Sequence, residues 1–267
     1  MGIAMLGDTL TQAGTVAVQL NSVGVQFVTD RGTVTALQDI NLMVRKGGFV
    51  TLLGPSGCGK STLLRVVADI IKPTSGTASV FDKSASQARL NRDIGFVFQD
   101  AALLPWRSVL DNVMLPLEVG GGIPKNRAGD PRELLRLVGL EGWENALPHE
   151  LSGGMRQRVS IARALISEPR LLLMDEPFGA LDEITRDRLN EELLRIWERT
   201  GTTILFVTHS LYEAAFLGQD VLLLAARPGR VREKVAVELP VPRKLAMRDT
   251  PTFTDTIARL RNILETC

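Results

Sequence analysis

From Val16 onward, apolar and polar positions alternate in short runs: Val16, Val18 and Leu20, then Val23, Val25 and Phe27. Alternation buries one face of each run, and the polar and glycine breaks between runs predict an antiparallel hairpin sheet. Residues 49–53 (Phe-Val-Thr-Leu-Leu) instead read as a compact buried strand that feeds a glycine-rich turn. Residues 61–70 follow with apolar side chains at helical spacing. Beyond Phe98 the pattern changes. Pro105, Pro116 and Gly120 to Gly122 punctuate it, and residues 132–138 have the spacing of a short amphipathic helix. A mostly helical insertion is expected over about 100–160. Buried-strand pattern returns at 171–174, 203–207 and 221–224, with an amphipathic crossover helix over 188–199 that completes a βαβ unit. Pro240 and Pro242 close the compact part, and residues 254–264 predict a terminal helix. The first 14 or so residues show no period and are expected to form a loose tail.

Composition narrows the classes. The 267 residues are 45% hydrophobic with a formal net charge of +1, enough for one large domain, or one domain with a subdomain. So small a charge argues against bulk attraction to nucleic acid or an anionic membrane. No apolar run approaches the roughly 20 residues that span a bilayer, and the N-terminus does not read as a secretory signal. Two cysteines, Cys58 and Cys267, make no disulfide framework. A soluble protein of a reducing compartment is the expectation.

The turn after the first buried strand holds Gly54, Pro55, Ser56, Gly57, Cys58, Gly59, Lys60 and Ser61, followed by Thr62. This fits the phosphate-loop pattern G-x-x-x-x-G-K-[ST] in the strand–turn–helix setting it requires. Glycines let backbone N–H groups turn around phosphates, and the helix N-terminus adds a favourable dipole. Lys60 would reach the β- and γ-phosphates of ATP, and Ser61 would hold Mg²⁺. Cys58 sits where a helix N-terminus is expected to lower its thiol pKa. Chance produces such a match in a chain of this length on the order of once in a hundred.

Asp175 and Glu176 end the buried run at 171–174, and ligands of α/β sheets sit at the carboxyl ends of strands. Asp175 is expected to coordinate Mg²⁺ and Glu176 to orient and polarise the attacking water. His209 follows the strand at 203–207 and would emerge on the same edge, a candidate sensor of the γ-phosphate. His149 has no such support and is taken as a surface residue. Leu151-Ser-Gly-Gly-Met155 reads as a second glycine loop opening a helix at 159–165. That leaves two alternatives: a helix cap, or a segment completing the site of a second copy.

These residues, in this order, resemble the ATP-binding subunit of ABC transporters across about 17–230. The resemblance adds Gln99 after Phe96-Val-Phe98, Ala180-Leu-Asp182 as a D-loop, and His209 as a switch histidine; Phe27 stands where the family stacks an aromatic on adenine. It implies a P-loop NTPase core of class α/β with a mixed sheet, an antiparallel β subdomain and a helical subdomain at about 100–160. The domain boundaries it gives are a flexible tail at 1–15, an ATPase domain at 16–239 and a C-terminal extension with a helix at 240–267. It also implies a head-to-tail homodimer with two ATP molecules, each held between the phosphate loop of one chain and Ser152, Gly153 and Gly154 of the other. Gln99 would reach Mg²⁺ and the attacking water, and Asp182 would line the shared site. Partners would be transmembrane permease subunits and, indirectly, a solute-binding protein, with the chain peripheral on the cytoplasmic face of the inner membrane.

Leu103-Leu-Pro-Trp106, the run from Leu151 to Arg158 and Ala226-Arg-Pro-Gly-Arg230 look like the nitrate, sulfonate and taurine importers, and the pyrimidine-precursor importers look much the same. Pro105 and Trp106 would face the permease. Gly48 and Tyr212 depart from common family residues without touching the chemistry. Competing readings are a soluble ABC ATPase acting outside transport and a non-hydrolysing ATP-binding scaffold. The first would carry paired cassettes or long coiled coils, which the chain lacks. The second conflicts with intact Lys60, Gln99, Glu176 and His209. No nucleic acid partner is expected.

Overall fold

The computed structural model describes residues 16–30, 32–119 and 128–267. The expected N-terminal tail and the break at Gly120 to Gly122 lie outside the described residues. Strands β1 (Val16–Thr29) and β2 (Gly32–Arg45) pair antiparallel as the alternation requires. The central strand β3 (Phe49–Leu53) and helix α1 (Lys60–Val67) flank the glycine turn. Next come β4 (Ser75–Val80), β5 (Lys83–Ser84), α2 (Ala85–Leu90) and β6 (Ile94–Val97). The helices α3 (Val109–Glu118), α4 (Pro131–Leu137) and α5 (Gly153–Leu165) follow. The chain then runs through β7 (Leu171–Asp175), α6 (Glu183–Thr200), β8 (Thr203–Thr208), α7 (Leu211–Leu217), β9 (Asp220–Ala225), β10 (Arg230–Ala236) and α8 (Pro251–Leu264).

Two sheets result. One is antiparallel with order β2-β1-β4-β5, and the other has order β10-β9-β3-β8-β7-β6. In the second, only the β10 edge pairs antiparallel. Its central strands are buried on both faces, which explains their unbroken apolar runs. Leu172, Met174, Ile204 and Phe206 pack on the helical side with Val109, Leu135 and Val159. Leu171, Leu173, Leu205 and Val207 pack on the other side with α1 and the antiparallel sheet. The helical segment therefore shares one core with the sheet.

Several helices start earlier than the apolar spacing predicted, because polar caps set their ends. The Asp182 side chain accepts from Thr185 N and starts α6 at Glu183. Thr250 caps α8, whose first residue is Pro251. Helix α5 starts at Gly153, six residues before the expected 159, with Ser152 as its cap. Segment 151–155 is thus a helix beginning rather than a separate glycine loop. α1 stops at Val67, and Asp69 beyond it turns left-handed at φ 60°.

Parallel register fixes the functional edge. Leu53 lies opposite Thr208, and Asp175 opposite Val207. The residues that follow β3, β7 and β8 consequently emerge together at one end of the sheet.

Candidate active site

The glycine turn passes between β2 and β9 with no room for side chains at Gly54 and Gly59. A Cβ on Gly54 would lie 2.6 Å from the Leu224 carbonyl oxygen. Gly59, at the head of α1, has φ +93°, and a Cβ there would lie 2.6 Å from Leu37 Cδ2. Pro55, Ser56 and Gly57 are exposed along the rim, while Ser61 and Thr62 are half-buried in the first turn of α1. Lys60 is buried, and its Nζ donates to the carbonyls of Gly54 (2.8 Å) and Pro55 (3.1 Å).

Cys58 departs from expectation. Its side chain is buried in the core beneath α1, with Sγ 3.9 Å from Lys60 Nζ. Burial pushes the thiol above its ordinary pKa, and the neighbouring Lys60 only partly opposes this. Desolvation of the thiolate outweighs the helix terminus here.

Asp175 is the buried last residue of β7, and Ser61 Oγ donates to its Oδ1 at 2.8 Å. Burial raises its carboxyl pKa, opposed by the Ser61 hydrogen bond and by Arg65. Glu176 adopts φ +45°, a left-handed conformation uncommon for a residue with a side chain. Its backbone N–H bonds the Val207 carbonyl at 3.1 Å. Its carboxylate lies between the other strands' contributions: Oε2 is 3.1 Å from His209 Nδ1, and Oε1 is 4.0 Å from Lys60 Nζ. Strain of this kind gathers at functional sites.

A second group lies apart from this cluster. Ser152 Oγ accepts from Met155 N at 3.2 Å. A Cβ on Gly153 would lie 3.6 Å from Leu181 Cδ2, and one on Gly154 would lie 3.0 Å from Thr185 Cγ2. The start of α5 therefore packs on the start of α6, beside Asp182. Ser152, Gly153 and Asp182 face solvent. Among the described residues no hydrogen bond or ion pair joins this group to Lys60, Ser61, Asp175, Glu176 or His209. Gln99 is exposed after β6, and Phe27 is 39% exposed on β1 opposite Val34; neither is bonded to either group. His149 is exposed, as expected.

The ABC transporter family model matches residues 37–179, which span the glycine turn, Asp175 and Glu176. The chain belongs to the ABC transporter ATP-binding family. It is 45% identical over 239 residues to the taurine import ATP-binding protein TauB of Rhizobium johnstonii, covering 87% of this chain and 90% of that protein. It is 42% identical over 226 residues to the aliphatic sulfonates import ATP-binding protein SsuB of Bacillus cereus, covering 85% and 88%. Among solved structures, the dimeric bacterial ABC transporter cassette MJ0796 superposes with a TM-score of 0.72 at 34% identity, over 84% of this chain and 100% of that one. The same cassette, in a post-hydrolysis state bound to ADP and Pi, matches with a TM-score of 0.70. This ABC subunit binds and hydrolyses ATP.

Two polar residues of the ABC fold escaped the sequence reading. Gln157, buried in α5, donates from Nε2 to the Phe98 carbonyl at 3.1 Å. Arg163, on the same helix, donates to the carbonyls of Ala101 (2.6 Å) and Ala102 (2.9 Å). Helix α5 thus grips the chain on both sides of Gln99. The available signal was Gln157 itself, a polar side chain one helical turn before buried Ile161 on a core-facing stripe.

Proposed function

We propose that this ABC ATPase is the energy-coupling subunit of a membrane importer for sulfonate- or taurine-like solutes, working as a head-to-tail dimer with MgATP. The single observation that carries the catalytic part is the convergence of Lys60, Glu176 and His209 at one sheet edge, with Ser61 on Asp175. Water would attack the γ-phosphate in line, forming ADP and inorganic phosphate, with Glu176 orienting the water and taking up its proton as the P–O bond forms. His209 contacts the Glu176 carboxylate and would sense the γ-phosphate. The Lys60 ammonium would exchange its Gly54 and Pro55 carbonyls for phosphate oxygens, neutralising charge that develops in the transition state.

The donor set fits a hard divalent cation, since Ser61 and Asp175 bring oxygen ligands together and no cation of the protein forms an ion pair with the Asp175 carboxylate among the described residues. Ser61 and Asp175, with Gln99, would hold Mg²⁺, which when bound would supply charge neutralisation to the phosphates.

The separation of the two residue groups supports the dimer. Ser152, Gly153 and Asp182 form an exposed helix-start surface, with Gly154 buried beneath it, and none of them bonds its own chain's phosphate loop among the described residues. Facing the loop of another copy, they would complete it. The exposed Trp106, 74% accessible, and the helical segment around it would receive the permease. No helix among the described residues is long and apolar enough to cross a membrane, so the proposed place at the cytoplasmic membrane face would come through that permease. Similarity to TauB and SsuB supports the solute class. The test is reconstitution with the permease that co-purifies with this chain, followed by ATP-driven uptake of taurine and alkanesulfonates. Uptake of an unrelated solute class alone would reject the solute assignment.

A further inference from the structure

The C-terminal segment grips the two helices that begin just after Asp182 and His209. Arg243 is buried, and its Nη1 donates to the carbonyls of Phe216 (2.8 Å) and Gly218 (2.8 Å) at the end of α7. No carboxylate pairs with this guanidinium among the described residues. Burial pulls its pKa down to about 10, so the helix end is capped by a cation at a desolvation cost. Arg248 forms a two-pronged pair with Asp187 on α6, both contacts at 2.7 Å, and its guanidinium lies 5.3 Å from the Phe216 ring. Phe253 of α8 is buried against Tyr212 of α7, with ring centroids 6.1 Å apart.

Inside this brace α6 and α7 are joined by a buried link. Glu213 Oε2 accepts from Thr208 Oγ1, the residue before His209. Glu213 Oε1 lies 3.9 Å from Arg186 Nε, and Arg186 Nη2 donates to the Leu181 carbonyl at 2.7 Å, beside Asp182. A shift of either helix would therefore move both His209 and the 178–182 turn. Yet 84% of this chain suffices to match the whole MJ0796 cassette, so the shared fold does not need every segment present here.

We infer that residues 240–264 act as a brace that sets the position of His209 and Asp182 for ATP hydrolysis, with Arg248 and Arg243 as positioning residues. The inference rests on the hydrolytic roles proposed above, but its test has a separate arm. The Arg248–Asp187 pair is two-pronged and mostly buried, so Arg248→Ala is expected to fold with a modestly lowered melting temperature. In the full-length chain it should lower kcat about tenfold while leaving the affinity for a fluorescent ATP analogue within about twofold. The chain has two histidines, so the His209 ring can be followed by NMR against a His149→Gln background. Arg248→Ala should shift the His209 ring resonances in the nucleotide-free protein. The charge-swapped pair Arg248→Asp with Asp187→Arg should restore both readouts towards wild type.

Unmoved His209 resonances would overturn the brace, whether or not the chain hydrolyses ATP. So would a kcat loss matched by an equal loss of nucleotide affinity, or a swap that fails to restore either readout. If Arg248→Ala unfolds, Arg248→Lys keeps the charge and loses the fork. It should give an intermediate kcat and resonance shift, and wild-type values for both would equally overturn the proposal.

Discussion

Nδ1 of His209 lies 3.1 Å from Oε2 of Glu176, which ties together the ends of two neighbouring strands around the left-handed Glu176. The same carboxylate faces Lys60 at 4.0 Å. Glu176→Gln keeps the shape of this contact and removes the carboxylate proposed as the base. The variant should bind ATP normally, lose at least about 100-fold in hydrolysis, and accumulate as a dimer on size-exclusion chromatography with MgATP. Brisk hydrolysis would remove Glu176 from its assigned role.

The buried Cys58 thiol should behave as core. At neutral pH, iodoacetamide should label Cys267 ahead of Cys58, since burial both shields Cys58 and disfavours its thiolate. Mass spectrometry of peptides from partly labelled protein measures the ratio. Preferential labelling of Cys58 would restore the sequence-based expectation.

The Cys58 outcome shows what the sequence could and could not carry. Motif order placed Asp175, Glu176 and His209 at strand ends and Lys60 at the head of α1, and parallel register then brought them together. Fold class was legible because β3, β7 and β8 are apolar on both faces. The thiol environment was not, because it depends on Gly54 and Leu224 crowding the turn from a strand about 170 residues away. The link from Gln157 to Phe98 was hidden for the same reason. Its helix looked six residues shorter, since glycines and charged residues at 153–158 mask the apolar period. Strand β10, with alternating exposure and mostly charged residues, left no strong signal either.

Asp175 should trade stability for function. Burial raises its carboxyl pKa, so folding disfavours the charged form. Its native state is least penalised below the unfolded-state pKa, and stability is lost as pH rises through the native pKa. Asp175→Asn keeps an oxygen acceptor for Ser61 and removes the charge. It should stabilise the nucleotide-free protein at pH 8 by about 1 kcal/mol, with the gain shrinking as pH falls through the raised native pKa, and should abolish Mg²⁺-dependent hydrolysis. Thermal melts across this range check the sign; a loss of stability at pH 8 would contradict it.

Gln157→Ala removes the side chain that holds the Phe98 carbonyl, next to Gln99. Leaving that carbonyl unpaired should cost about 1–2 kcal/mol of stability. If α5 steers Gln99, kcat should also fall several-fold, about 3- to 10-fold, with KM for ATP nearly constant. Steady-state kinetics beside chemical denaturation separates the two effects. A stability loss with unchanged kcat would leave Gln157 as packing alone.

The central claim is that each ATP site is shared between chains, and mixed dimers test it most directly. In a Glu176→Gln background, differently tagged chains carrying Lys60→Ala and Ser152→Arg are combined, and bound ATP is counted per purified mixed dimer. With shared sites, both lesions fall in one site, the other stays intact, and one ATP per mixed dimer should be retained. Placing both substitutions on one chain against an unsubstituted partner should damage both sites and retain none. The reverse pattern, none in the first pairing and one in the second, would show that each site belongs to a single chain and would contradict the account.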